Sequence, residues 1–203
     1  MKLLALFSTS LLASALSMQA ANYSLFIGDK EMDLHLNEEV RYTTEGGEEL
    51  TIKVTQKEYV TFNSDFFSIK HKNLLQPAKT DLGDGIQQTM LMSPLGCGVL
   101  VQEYKSMDPS ALIDLMAHEL TKEEVSYGYK KEEETGERKI GEHTLNGKVV
   151  YTRYNDEEWK REFYAYGSND KGVLIVTMVE KEEYETDGYI IEDFWKTLTL
   201  SVK

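Results

Sequence analysis

Four consecutive apolar residues, Val173-Leu174-Ile175-Val176, lie between turn signals inside a long run of alternating segments. An uninterrupted apolar strand needs cover on both faces, so it predicts a central, fully buried strand in a layered fold. Around it, from Tyr127 to Glu180, the chain reads as an antiparallel meander. A strand over residues 137–143 joins one over 148–154 through Asn146-Gly147, a dipeptide strongly tied to two-residue hairpins. Asn155-Asp156-Glu157-Glu158 then turns the chain into residues 159–166, and Ser168-Asn169-Asp170-Lys171-Gly172 turns it into 173–179.

Upstream, short alternating strands are expected over Tyr23–Ile27, 32–36, 50–54, 59–62 and 66–69, separated by Gly28-Asp29 and Glu45-Gly46-Gly47-Glu48. Residues 73–85 read as a loop ending in Asp81-Leu82-Gly83-Asp84-Gly85, followed by strands over Ile86–Met92 and Gly98–Tyr104. Asp108-Pro109-Ser110 opens a helix: Asp is a strong N-cap, and Pro suits the first position because its missing N–H has no partner there. Ala111, Leu112, Leu115, Met116 and Leu120 form its apolar stripe, with Asp114, Glu119 and Lys122 on the wet side. Ile190, Ile191, Phe194, Trp195 and Leu198 give a second stripe after Thr186-Asp187. The fold class is therefore α+β, a central antiparallel sheet flanked by helices, with extra N-terminal β-hairpins.

The 203 residues fit one domain with an appendage. With 22 Lys+Arg against 35 Asp+Glu, the net charge of −13 argues against a phosphate-backbone binder and so against a nucleic-acid partner. The single Cys excludes an intrachain disulfide and a thiolate zinc cluster. Met1-Lys2, the apolar run through Leu12-Ala13 and the small residues before Ala20 read as a secretory signal cleaved after Ala20. Its apolar run falls short of the about 20 residues a membrane span needs, and no Cys near the cleavage site offers a lipid anchor. The expected organisation is a signal peptide over 1–20, a β-hairpin extension over 21–61 and an α+β domain over 62–203, periplasmic or secreted.

Phe66-Phe67-Ser68-Ile69, the strand ending at Tyr104, the helix from Asp108, Gly147-Lys148-Val149-Val150 and the closing Thr197-Leu198-Thr199-Leu200 stand in an order that resembles the PsbP-like superfamily. That superfamily includes photosystem II extrinsic proteins, a yeast Ran-binding protein and the envelope protein DcrB. The resemblance, over roughly residues 62–200, implies an α/β/α sandwich whose members mostly bind proteins or stabilise assemblies. It carries over no catalytic constellation.

The residues themselves lead to no catalytic, cofactor or metal assignment. Cys97, in Pro94-Leu95-Gly96-Cys97-Gly98, reads as a small residue in a tight turn; a thiol-dependent hydrolase using it with His71 or His143 is the rival reading. His118-Glu119 lacks the second His of a zinc-protease motif, and Asp81–Gly85 fails the calcium-loop spacing. His35 has no patterned partner. The acidic runs 45–49, 132–134, 156–158 and 180–187 read as solvated turns, with a divalent-cation-responsive stabiliser as the alternative. Tyr164 and Tyr166 fall on the face opposite Phe163, where they either line a groove for a partner or pack under a helix. The expectation is a non-catalytic binding or assembly module with an envelope or secreted protein as partner, and no cofactor.

Overall fold

The computed structural model describes residues 23–202, so the expected signal peptide lies outside the described residues. The chain divides into two compact units, parting between Gln56 and Lys57.

The first unit holds two antiparallel hairpins. Strand β1 (Tyr23–Ile27) pairs with β2 (Lys30–Leu34), and β3 (Glu39–Thr43) pairs with β4 (Glu49–Lys53). A Leu36–Val54 bridge adds a parallel pairing. Their turns fall where the sequence placed them, at Gly28-Asp29 and around Gly46-Gly47.

In the second unit, β5 (Tyr59–Asn63), β6 (Phe67–Lys72) and the terminal β14 (Thr199–Leu200) form a small antiparallel sheet in the order β14-β6-β5. The expected boundary at 61/62 would cut through β5, which instead pairs with β6 inside this unit. The main sheet has seven strands: β7 (Ala78–Gly83), β8 (Ile86–Met92), β9 (Gly98–Tyr104), β10 (Lys130–Ile140), β11 (His143–Tyr154), β12 (Glu157–Ser168) and β13 (Lys171–Glu180). Their order is β10-β11-β12-β13-β9-β8-β7, antiparallel throughout. The apolar run 173–176 lies in β13, the middle strand of the seven, as its composition requires.

The sheet has two covered faces. One carries Leu100, Phe163, Leu174 and Val176 beneath helix α1 (Ile113–Tyr127). The other carries Val101, Tyr164, Val173 and Ile175 beneath helix α3 (Tyr189–Thr197) and the small sheet. The second cover is thus part helix and part strand, where helices alone were expected. A short helix α2 (Tyr184–Asp187) precedes α3.

Three expectations are corrected. Asn146-Gly147 is no turn: both residues lie inside β11, and the hairpin closes five residues earlier at Gly141-Glu142, where Ile140 faces His143. Gly141 supplies the φ of +58° that this turn needs. Gly147 serves another purpose, lying between Gly136 and Tyr164 in register. A Cβ at Gly147 would stand 1.9 Å from the Phe163 carbonyl oxygen and 2.7 Å from Tyr164 Cδ1, and one at Gly136 would stand 2.8 Å from the Tyr164 hydroxyl. The two glycines form a bare strip over which the Tyr164 ring lies.

Residues 73–85 are not all loop, because β7 runs through them as an edge strand. All six of its residues are exposed, so no inward face imposes an apolar alternation. The α1 stripe is also rotated: Ala117 and Thr121 are buried with Ile113, Met116 and Leu120 against the core, while Ala111 and Leu115 are exposed. The helix begins with a 3-10 turn over Pro109–Leu112, capped as expected by Asp108 accepting from the Ser110 N–H. That turn winds at about 3.0 residues rather than 3.6, which shifts the phase of everything after it.

Candidate binding cleft

Cys97 stands at the entrance to β9 and is buried, with 1% exposure. Burial pushes its thiol up to about 12, and the carboxylates of Asp187 and Glu183 push the same way. A nucleophilic thiol needs the opposite environment, a nearby cation or a helix N-terminus that lowers its pKa. His71 is buried with Nδ1 3.0 Å from the Lys72 carbonyl oxygen, His143 packs on Tyr166 with ring centroids 4.5 Å apart, and His118 is exposed on α1. His35 lies in the first unit. Among the described residues, no three His, Cys, Asp or Glu side chains converge as metal ligands, and no helix is long and apolar enough to cross a membrane.

The thiol's environment has a measurable consequence. At pH 8 a disulfide reagent is expected to modify Cys97 about a hundredfold more slowly in the folded protein than in urea, through lost thiolate and lost access. Because the folded thiol lies above its ordinary value of 9.0, its stabilising contribution is complete below pH 9 and is lost as pH rises towards about 12. Rapid labelling of the folded chain would restore the thiol-enzyme reading.

The aromatic face resolves in favour of packing. Tyr164 is buried and meets Trp195 of α3 edge-on at 5.6 Å, and Tyr166 packs against the same core. Strand alternation carries that face onward from Tyr164 to Glu162 and Lys160, and there α3 no longer covers it. A cleft of 310 Å³ opens, floored by Lys160, Glu162, Thr177 and Val179. Its remaining lining is Arg138 from β10, Tyr184 from α2, and Ile191, Glu192 and Trp195 from α3. A second opening of 300 Å³ shares Lys160, Val179 and Tyr184 with the first and extends it towards Tyr151 and Lys181.

At the floor, the Glu162 side chain is 9% exposed. It accepts from Arg138 Nη2 at 3.1 Å and lies 2.8 Å from Lys160 Nζ. Burial is the largest single influence on the Lys160 ammonium and works to lower its pKa, but the hydrogen bond and the charge of Glu162, with smaller help from Tyr151 and Tyr164, together hold it above its ordinary value. The three groups together carry one net positive charge. The Arg138 guanidinium lies 4.1 Å from the Trp195 ring centroid and 5.4 Å from that of Tyr164, within cation–π reach of both rings. At the rim, the Tyr184 hydroxyl donates to Glu192 at 2.8 Å, and that carboxylate holds the phenol above its ordinary value.

Sequence reasoning placed Trp195 on a helix stripe and passed over Arg138 and Glu162. The available signal was a carboxylate at 162 on the same strand face as Tyr164 and Tyr166, where an apolar residue would continue the pattern.

No protein-family model and no curated protein sequence matches the chain. Among solved structures, the chain is similar to the solution structure of cyanobacterial PsbP (CyanoP) from Synechocystis sp. PCC 6803, at 8% identity and a TM-score of 0.42, covering 83% of this chain and 95% of that one. It is also similar to a crystal structure from Bacteroides thetaiotaomicron VPI-5482, at 13% identity and a TM-score of 0.36, covering 72% of this chain and 50% of that one. The likeness is one of fold alone.

Proposed function

We propose that the protein is an exported, non-catalytic binding module whose partner is another envelope or secreted protein, and that a segment of that partner lies in the cleft beside α2 and α3. The observation that carries this reading is the Arg138–Glu162–Lys160 cluster. Desolvating a carboxylate costs several kcal/mol, and here that cost is borne at the floor of an opening walled by Trp195, Tyr184 and Ile191. A few fixed polar groups within an apolar, aromatic lining are what ligand clefts share. Export is supported by the leader-like sequence before Ala21. The absence of catalysis is supported by the buried, proton-retaining thiol of Cys97. The net charge of −13 favours a protein over a nucleic-acid partner.

The test is capture of cross-linked partner from intact cells with a C-terminally tagged chain. Lys160→Glu and Tyr184→Ala are expected to reduce the captured partner about tenfold, the loss of one or two good interface hydrogen bonds. Leu115→Ala, on the exposed side of α1, is expected to leave it unchanged. Equal capture by all three variants would sink the proposal.

A further inference from the structure

We infer that the cleft receives a carboxylate flanked by an apolar group, the chemistry shared by a peptide C-terminus and a small acylated amino acid. The inference rests on the cleft being the binding surface. Two N–H groups carry it: Nε of Arg138 and Nε1 of Trp195 are both shielded from solvent and find no acceptor among the described residues. Both residues line the same cleft, and the guanidinium carbon lies 4.1 Å from the centre of the indole ring, so the two donors belong to side chains in direct contact. A buried donor left without an acceptor costs free energy, and each such group in a native structure calls for an explanation. Two of them in one cleft are explained together by a single two-oxygen acceptor.

Charge and shape narrow the class. Arg138 Nη2 and the Lys160 ammonium are engaged by Glu162, and with Glu192 the charged side chains of the lining sum to zero. Glu192 at the rim accepts from the Tyr184 hydroxyl and keeps its charge, so the site discriminates against a phosphate dianion more strongly than against a monoanion held by the two N–H groups. Ile191, Val179 and the Trp195 ring supply the apolar wall against which a neighbouring side chain rests. The volume of 310 Å³ lies at the small end of ligand sites, which span about 300–1,000 Å³, and suits a chain end.

The two indoles make the test specific. In a ¹⁵N-labelled sample of the full chain, Trp195 is expected to shift its indole N–H resonance saturably when N-acetyl-Ala-Ala-Leu is added as the free acid. The C-terminal amide of the same peptide should leave it in place. Trp159, whose indole N–H already donates to Glu157 at 2.7 Å, should not move with either. Calorimetry should show binding of the free acid weakened about tenfold by Arg138→Lys, which keeps the charge and removes Nε, and by Trp195→Phe, which keeps an aromatic ring and removes the N–H. N-acetyl-leucine binding as tightly as the peptide would identify a small acid as the source, and tighter peptide binding a chain terminus; both support the carboxylate assignment. Equal shifts with acid and amide, or none at millimolar peptide, would overturn it. If the shift is absent while Lys160→Glu still reduces partner capture, only the carboxylate assignment falls. If both fail, the cleft is not the binding surface.

Discussion

Gly147→Ala is expected to destabilise the second unit by more than 3 kcal/mol, the upper part of the overpacking range. The added methyl would meet the Phe163 carbonyl oxygen at 1.9 Å, and because that atom is backbone it cannot rotate away. Strands β11 and β12 would have to separate at the point where Gly147 faces Tyr164. Gly136→Ala should cost less, about 1–2 kcal/mol, because its new methyl meets only the Tyr164 ring, which can tilt. Gly141→Ala has open space around it and pays only for a residue at φ +58°, about 1 kcal/mol. Both tryptophans lie in the second unit, so urea unfolding followed by their fluorescence measures the series. If Asn146-Gly147 formed the turn, Gly147→Ala would be the mild change and Gly141→Ala would carry no turn penalty. That reversed order would contradict the register described above.

The second large effect is expected at the joint between α1 and the sheet. The Arg161 side chain is 7% exposed; its Nη1 donates to Glu124 Oε2 and to the Thr152 hydroxyl, each at 2.9 Å. Thr152 in turn donates to Glu124 at 2.6 Å, which closes a three-membered network. Glu124→Ala leaves the guanidinium buried with no counter-charge, only the Thr152 hydroxyl and the Trp159 ring 5.0 Å away, and breaking a buried pair in this way costs about 3–5 kcal/mol. The double variant Glu124→Ala with Arg161→Met removes the stranded charge and should recover most of the loss. The same urea titration reads both. A loss below about 1 kcal/mol for Glu124→Ala would mean that Arg161 finds water, and that the network is not what fixes α1 to the sheet.

How much of this was legible in the sequence depended on whether the signal was local. Strands β8 and β9 have the bounds their alternation gave, and β13 is central because four successive apolar residues admit no wet face. The Asp108 cap and the Ile190–Phe194 stripe of α3 are equally local and stand as expected. Asn146-Gly147 misled because hairpin preference competed with a tertiary demand: Tyr164, 17 positions beyond Gly147, needs a strand without side chains beneath its ring. β7 left no trace because a fully exposed edge imposes no pattern, and α1 was out of phase because a 3-10 turn preceded it.

The cleft was hidden for a related reason. Arg138 and Glu162 are 24 positions apart and read as two ordinary surface charges on charged strands. Only the strand order, which places β10 and β12 on either side of β11, brings them together in the cleft beside α3. The bare strip of Gly136 and Gly147 completes the arrangement. It seats Tyr164, which Trp195 meets edge-on, and Arg138 lies within cation–π reach of both rings. The fold is thereby tied to the proposed site through two glycines, one of which, Gly147, hairpin propensity would place in a turn.

The most direct test of the cleft as the working surface is site-specific photo-cross-linking in intact cells. A photoactivatable residue replaces Tyr184, 49% exposed at the cleft rim, and in a second strain Leu115, 56% exposed on α1 against the opposite face of the sheet. The account predicts one discrete cross-linked partner from position 184 and none from position 115, with the adduct suppressed by Lys160→Glu in the same chain. The same partner captured from position 115 and not from 184, or an adduct at 184 indifferent to Lys160→Glu, would contradict it.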